Sequence, residues 1–163
     1  MAVRAKALKG SLAEDLILLC TGGRITSRTA QRAIRALCRH HGGLLLYIPR
    51  RMADGEAAEK LRGVIADEVG DADAEIILAK IMSAYGNMQV YIPMEKMAFK
   101  KTIALEIFER SGKNDVTISD LAREYGVSFS QAYNLWYLGQ REKLKPSMPY
   151  LPFAELPEDN NSF

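Results

Sequence analysis

The chain has 163 residues, is 48% apolar and carries a formal net charge of +2, which allows one ordinary domain or two small ones with a real core. The apolar run at residues 44–48 has strand length, and no run approaches the roughly 18 residues of a membrane span. The basic stretch at 1–10 lacks the apolar centre and cleavage site of a signal peptide, and two cysteines without a spaced framework suit a reducing cytoplasm.

The charge is unevenly spread. Residues 1–51 hold ten Lys/Arg and two Asp/Glu (+8), residues 52–94 hold three and eight (−5), residues 95–145 hold nine and seven (+2), and the tail holds three acids (−3). Such segregation points to electrostatic pairing, with nucleic acid or between parts of the chain.

After the basic arm, residues 11–51 read as helix, loop, helix, Gly turn and short strand. Leu12, Leu16, Leu19 and Cys20 lie at helical spacing, and Ala30, Ala33, Ile34, Leu37 and Cys38 make a second helical stripe. The unit ends in Gly42-Gly43-Leu44-Leu45-Leu46-Tyr47-Ile48-Pro49. Residues 54–93 repeat the pattern. Ala57, Leu61, Val64 and Ile65 match the first stripe with a slightly different loop length. Ala74, Ile77, Leu78, Ile81 and Met82 match the second at an offset of 44, as does Gly86-Asn87-Met88-Gln89-Val90-Tyr91-Ile92-Pro93.

Each unit offers only one strand. A lone strand leaves its ladder groups unpaired, so the two must pair within the chain or between chains. The units also differ in charge. Arg28, Arg32, Arg35 and Arg39 share one helical face, where the second unit has Ala72, Ile76, Ala79 and Ser83. The second unit's acids are Asp67, Glu68, Asp71, Asp73 and Glu75. Basic-to-acidic pairing of the units, a solvated arginine face and phosphate contacts are all open on this pattern.

Residues 94–145 read as a three-helix domain. A helix starting near Glu95 carries Phe99, Ile103, Ala104, Ile107 and Phe108 as its apolar stripe and ends at Ser111-Gly112. Residues 117–138 then read as a helix-turn-helix. Ser119 is placed to cap a short helix bearing Leu121, Ala122 and Tyr125. Gly126 falls where the chain must turn sharply, and Val127 fills the angle. Ser128 caps a second helix with Ala132, Leu135 and Trp136 on its inner face. Its outer face should be Ser130, Gln131, Asn134 and Tyr137, with Tyr133 at the edge and Ser128 at its start; Phe129 and Trp136 read as core. Gln and Asn can contact adenine bidentately and Ser can donate or accept. This helix has no cation before Arg141, so phosphate affinity falls to Lys100, Lys101, Arg123, Arg141, Lys143 and Lys145. Residues 146–163, with four prolines and an acidic end, read as an extended or disordered tail.

Nothing in the pattern calls for catalysis or a cofactor. Cys20, Cys38, His40 and His41 lack zinc-site spacing, and both cysteines lie on apolar stripes. Thr21-Gly22-Gly23-Arg24 lacks the Lys-Ser/Thr of a phosphate loop. No nucleophile–base set forms around either histidine. The expected fold is mainly α: a helix-helix-strand unit, duplicated, then a C-terminal helix-turn-helix domain.

This order resembles the Mor transcription activator family of phages and prophages. The residues that carry the likeness are Gly86 to Pro93, the helix to Phe108, Gly112, Asn114 and Leu121-Ala122-Arg123-Glu124-Tyr125-Gly126-Val127-Ser128. The resemblance implies a homodimer built on the helix-helix-strand unit, with the helix-turn-helix in the major groove of double-stranded DNA. It also implies recruitment of host RNA polymerase, and Gln89 and Tyr91 of the strand near the minor groove. The family ordinarily has one dimerisation unit where this chain has two, so an intrachain pseudo-dimer is the alternative to a homodimer. Two other functions remain open on sequence. One is an interaction module with a degenerate helix-turn-helix that sequesters a related activator; the other is the DNA-binding remnant of a recombinase.

Overall fold

The computed structural model describes residues 11–145; the basic arm at 1–10 and the Pro-rich tail at 146–163 lie outside the described residues. The fold is mainly helical with one two-stranded sheet, and it divides into two compact units between Phe99 and Lys100.

The first unit contains α1 (Leu12–Cys20), α2 (Ser27–His41), β1 (Leu45–Ile48), α3 (Glu56–Val69), α4 (Asp71–Tyr85), β2 (Met88–Tyr91) and the short α5 (Glu95–Ala98). Helix α1 opens on a capping box in which Ser11 and Glu14 satisfy each other's backbone N–H groups. Thr26 caps α2. The predicted stripes of α2 and α4 are all buried: Ala30, Ala33, Ile34, Leu37 and Cys38 on one, Ala74, Ile77, Leu78, Ile81 and Met82 on the other. On α1 and α3 the buried faces are Ala13, Leu16 and Cys20, and Ala58, Leu61 and Ile65. They are turned slightly from the expected stripes, and Leu19 is left 37% exposed. The two faces still correspond residue for residue at an offset of 45.

The strands pair antiparallel in the register Leu45↔Tyr91, Leu46↔Val90, Tyr47↔Gln89 and Ile48↔Met88. Counted by the offset of 44, Leu46 faces its own counterpart Val90, and the flanking pairs interchange on exchanging the two strands. The bounding hydrogen bonds obey the same exchange: Gly43 N–H donates to the Ile92 carbonyl and Asn87 N–H to the Ile48 carbonyl, both at 2.8 Å. A Cβ on Gly42 would lie 2.9 Å from Met94 Cα, and one on Gly86 would lie 3.1 Å from Arg50 Cα. Only glycine lets the two chain segments pass this closely.

Beneath the ribbon, Leu46, Ile48, Val90 and Ile92 share one apolar space with Leu16, Leu37, Leu61, Ile65, Leu78 and Ile81. Helix α2 packs on α3, and α4 packs on α1. Neither α1 nor α3 has a basic residue in its last turn, so each draws a cation from across this packing. Lys80 Nζ on α4 donates to the Cys20 carbonyl at 3.0 Å, and Arg32 on α2 donates to the Glu68 carbonyl.

The second unit contains α6 (Lys100–Arg110), α7 (Ile118–Glu124) and α8 (Phe129–Leu144). Its core is Ile103, Ala104, Ile107, Leu121, Ala122 and Ala132, with Gly139 also buried. The helix expected to run from Glu95 is broken at Phe99, whose backbone leaves the helical region (φ −113°, ψ 27°). Glu95 is tied to α2 by Arg35 at 2.7 Å and Arg39 at 3.3 Å, which fixes α5 to the first unit. The compact C-terminal unit therefore starts at Lys100, six residues later than the expected boundary at 94.

Candidate nucleic-acid interface

Helix α7 begins at Ile118, capped by Thr117 two residues before the expected Ser119. Asp120 decides this. At the third helical position its carboxylate accepts from Thr117 N–H at 3.0 Å, completing a box that Ser119 has no acid placed to form. The helix ends at Glu124 with Tyr125 as its C-cap, and Gly126 follows at φ 61°, a left-handed conformation that glycine adopts without strain. Val127 N–H then bonds to the Ala122 carbonyl at 2.9 Å. Two carboxylates hold α7 to α6. Arg110 of α6 grips Glu124 with both terminal nitrogens at 2.7 Å, and Tyr125 donates to Glu106 at 2.7 Å.

The Arg110 guanidinium and the Thr117 cap hold the carboxyls of Glu124 and Asp120 below their ordinary values. Their stabilisation is therefore complete above those ordinary values and is lost as pH falls through and below them. The full chain should melt at progressively lower temperature on acidification, followed by circular dichroism. The combined variant Asp120→Asn, Glu124→Gln should melt lower at pH 7 and show a smaller acid-induced drop. An unchanged drop would place the acid sensitivity elsewhere.

Ser128 caps α8 as expected, its Oγ accepting from Gln131 N–H at 3.1 Å. Ser128 N–H in turn donates to Gln131 Oε1 at 3.0 Å. Both side chains are solvent-exposed, but their acceptor oxygens are engaged in the cap. A bidentate contact from Gln131 to a base would require opening it. Ser130, Tyr133, Asn134, Tyr137 and Arg141 are exposed. Phe129 is not core: it is 57% exposed and stacks on Tyr133, with ring centroids 6.3 Å apart. Tyr133 meets Tyr137 edge-on at 5.2 Å. Phe129, Tyr133 and Tyr137 thus form a continuous aromatic ridge at intervals of four residues. Trp136 is turned inward, packing on Phe108 at 5.6 Å and donating from Nε1 to Ser111 Oγ at 2.8 Å.

The candidate phosphate-binding cations fall into two sets. Lys100, Lys101, Arg123 and Arg141 are exposed. Lys143 pairs with Glu109 at 2.7 Å and Lys145 with Glu142 at 2.6 Å. Exposed pairs of this kind are worth little, so a phosphate can displace either carboxylate cheaply.

In the first unit the strand residues Gln89 and Tyr91 both face solvent, Tyr91 at 57%. Opposite them on the same face of the ribbon stand Tyr47 and Leu45, the latter 65% exposed. Tyr47 donates through its hydroxyl to Asn87 Oδ1 at 3.0 Å, which orients its ring. The outer ribbon face therefore carries two tyrosines, one leucine and one glutamine. The resemblance gives a groove role only to Gln89 and Tyr91; Leu45 and Tyr47, their equivalents in the first unit, complete the same face. The arginine face of α2 is largely neutralised: Arg35 and Arg39 bind Glu95, Arg32 and Arg39 bind Glu68, and Arg28 is exposed. Glu68 lay in the acidic set read from sequence; Glu95 did not, because it sits beyond the repeat. Arg24 pairs with Asp73 at 2.8 Å.

Burial pushes the thiols of Cys20 and Cys38 up to about 11, so neither is a nucleophile near neutral pH. Among the described residues no three His, Cys, Asp or Glu side chains gather as a metal site, and no helix is long and apolar enough to cross a membrane.

Residues 52–147 match the family model of the Mor transcription activator family. The match starts just before α3, so α1, α2 and β1 lie outside it. No curated protein and no solved structure matches the chain.

Proposed function

Because the chain belongs to the Mor transcription activator family, we propose that it is a sequence-specific DNA-binding regulator, not an enzyme. It acts in the cytoplasm of a bacterial host and activates phage or prophage genes by bringing RNA polymerase to their promoters. The observation that carries this reading is α8 itself. It is a capped helix following a sharp glycine turn from α7, with Ser130, Asn134 and Tyr137 turned to solvent and exposed cations before and after this face. We read α7, the turn and α8 as a helix-turn-helix, and Lys100, Lys101, Arg123 and Arg141, with Lys143 and Lys145 on exchange, as its phosphate contacts.

In this reading the two helix-helix-strand units are a duplicated dimerisation unit that closes on itself as an intrachain pseudo-dimer. The self-complementary register about Leu46 and Val90 supports it. The finished ribbon presents Gln89 and Tyr91 to the minor groove.

Selection of random duplexes with the full chain, followed by binding across a salt series, tests the proposal. A specific sequence class should emerge, and its affinity should fall steeply with salt. Asn134→Ala should lose about tenfold or more for the selected duplex and almost nothing for unrelated DNA. If no class is enriched and binding ignores salt, the chain does not read DNA, and capture of a related activator becomes the function to pursue.

A further inference from the structure

The solvent-facing part of α8 is unusual for a reading helix in what it lacks. From Phe129 to Gln140 it has no charged side chain. Guanine is read in the major groove chiefly by Arg or Lys donating to O6 and N7, and this face has neither. Gln131, whose fork would suit adenine, is engaged by its own helix cap. What remains for hydrogen bonding is Asn134, Ser130 and the hydroxyls of exposed Tyr133 and Tyr137, with Phe129 as the purely apolar end of the aromatic ridge.

Accepting the DNA-binding reading above, we infer that this face is built for A·T pairs, with Asn134 on adenine and the Phe129 edge of the aromatic ridge on thymine methyl groups. The chemistry matches term by term. Adenine offers an acceptor and a donor that an amide side chain satisfies together, and thymine is the one base presenting a methyl group in the major groove. An exposed phenylalanine at the start of a helix gains nothing from water but gains apolar contact from that methyl.

The dimensions and charge agree. The neutral face from Phe129 to Tyr137 spans eight helical steps, about 12 Å, close to the roughly 12 Å width of the major groove. Exposed Arg123 precedes it in the last turn of α7, and exposed Arg141 follows it one turn further along α8. Each is placed for one phosphate wall of a groove whose floor meets only uncharged groups.

The test uses the full chain and the duplex enriched by selection. The footprint of α8 should be rich in A·T pairs. Replacing its thymines by deoxyuridine, which removes only the methyls, should weaken binding by about fourfold for each contacted methyl. The variant Phe129→Ala should bind the thymine and uracil duplexes equally. Because Phe129 is exposed, the variant should keep the wild-type melting temperature; Phe129→Leu, which keeps an apolar edge, should retain part of the discrimination. A G·C-rich footprint, or equal binding of both duplexes by the unaltered chain, would overturn the inference while leaving DNA binding intact. Self-association lost in Phe129→Ala with thymine discrimination retained would overturn it too, assigning the ridge to a protein contact. Failure to enrich any duplex would remove the DNA-binding reading together with it.

Discussion

Gly139→Ala should destabilise the C-terminal unit by at least about 2 kcal/mol, although the same change in an ordinary helix interior stabilises it. Gly139 lies in the third turn of α8, where a glycine normally costs about 1 kcal/mol relative to alanine. Here an added Cβ would stand 2.1 Å from the Ala104 carbonyl oxygen and 2.7 Å from both its carbon and Phe108 Cβ. Two of these three obstacles are backbone, which cannot swing aside as a side-chain end can. Helices α6 and α8 are the main packing pair of the unit, with Ala104 and Gly139 buried between them. The methyl must therefore push the helices apart and open the core around Ile103 and Ile107.

Gly63→Ala is the internal control. Gly63 also lies inside a helix, α3, but an added Cβ there meets nothing within 4 Å. It should gain roughly 0.5–1 kcal/mol. Thermal and urea unfolding of the two variants should move in opposite directions. A neutral or stabilising Gly139→Ala would mean that α6 and α8 do not approach as closely as described.

The second large effect concerns which chain completes the ribbon. Leu45 and Tyr91 stand directly opposite each other on its outer face and are both exposed. Directly opposed residues of an antiparallel pair lie about 4.5–5.5 Å apart at Cα, within disulfide range. The double variant Leu45→Cys, Tyr91→Cys should therefore oxidise almost completely to a crosslinked single chain. Buried Cys20 and Cys38, with thiols near 11, will not compete. Non-reducing electrophoresis should show a faster-migrating monomer, and the unmodified protein should sediment near 18.2 kDa. Covalent dimers as the main product would mean that the strands pair between chains. The functional consequence is large. A ribbon closed within one chain carries a single α7–α8 pair, so the chain should protect an asymmetric DNA segment where a two-chain ribbon would protect a palindrome.

Much of this was legible in the residues. The stripes of α2 and α4 follow from helical periodicity, because a residue every three or four positions must share a face whatever it packs against. The glycine turn at Gly126 and the Ser128 cap are local requirements met by local chemistry. The match to a transcription activator family over residues 52–147 agrees with the resemblance carried by the strand and the Leu121-to-Ser128 motif.

Other features were out of reach because they depend on partners distant in sequence. Phe129 reads as core by composition, yet among the described residues it is left 57% exposed, with its ring stacked on Tyr133. Glu95 belongs to no repeat, yet it neutralises two arginines about sixty positions earlier. Gly139 resembles a weak point in a helix until Ala104 is seen against it. The start of α7 depends on a choice between Thr117 and Ser119 that Asp120 settles through its side-chain geometry.

The residues by themselves determined which segments are helices, which faces are apolar and that two strands exist in need of pairing. All three rest on interactions within a few positions along the chain. Only the tertiary structure decided that β1 pairs with β2 in this register, how the arginine face of α2 is spent, and which side chains of α8 are left open to solvent. Those outcomes turn on distances between residues far apart in sequence, and backbone periodicity carries no information about them.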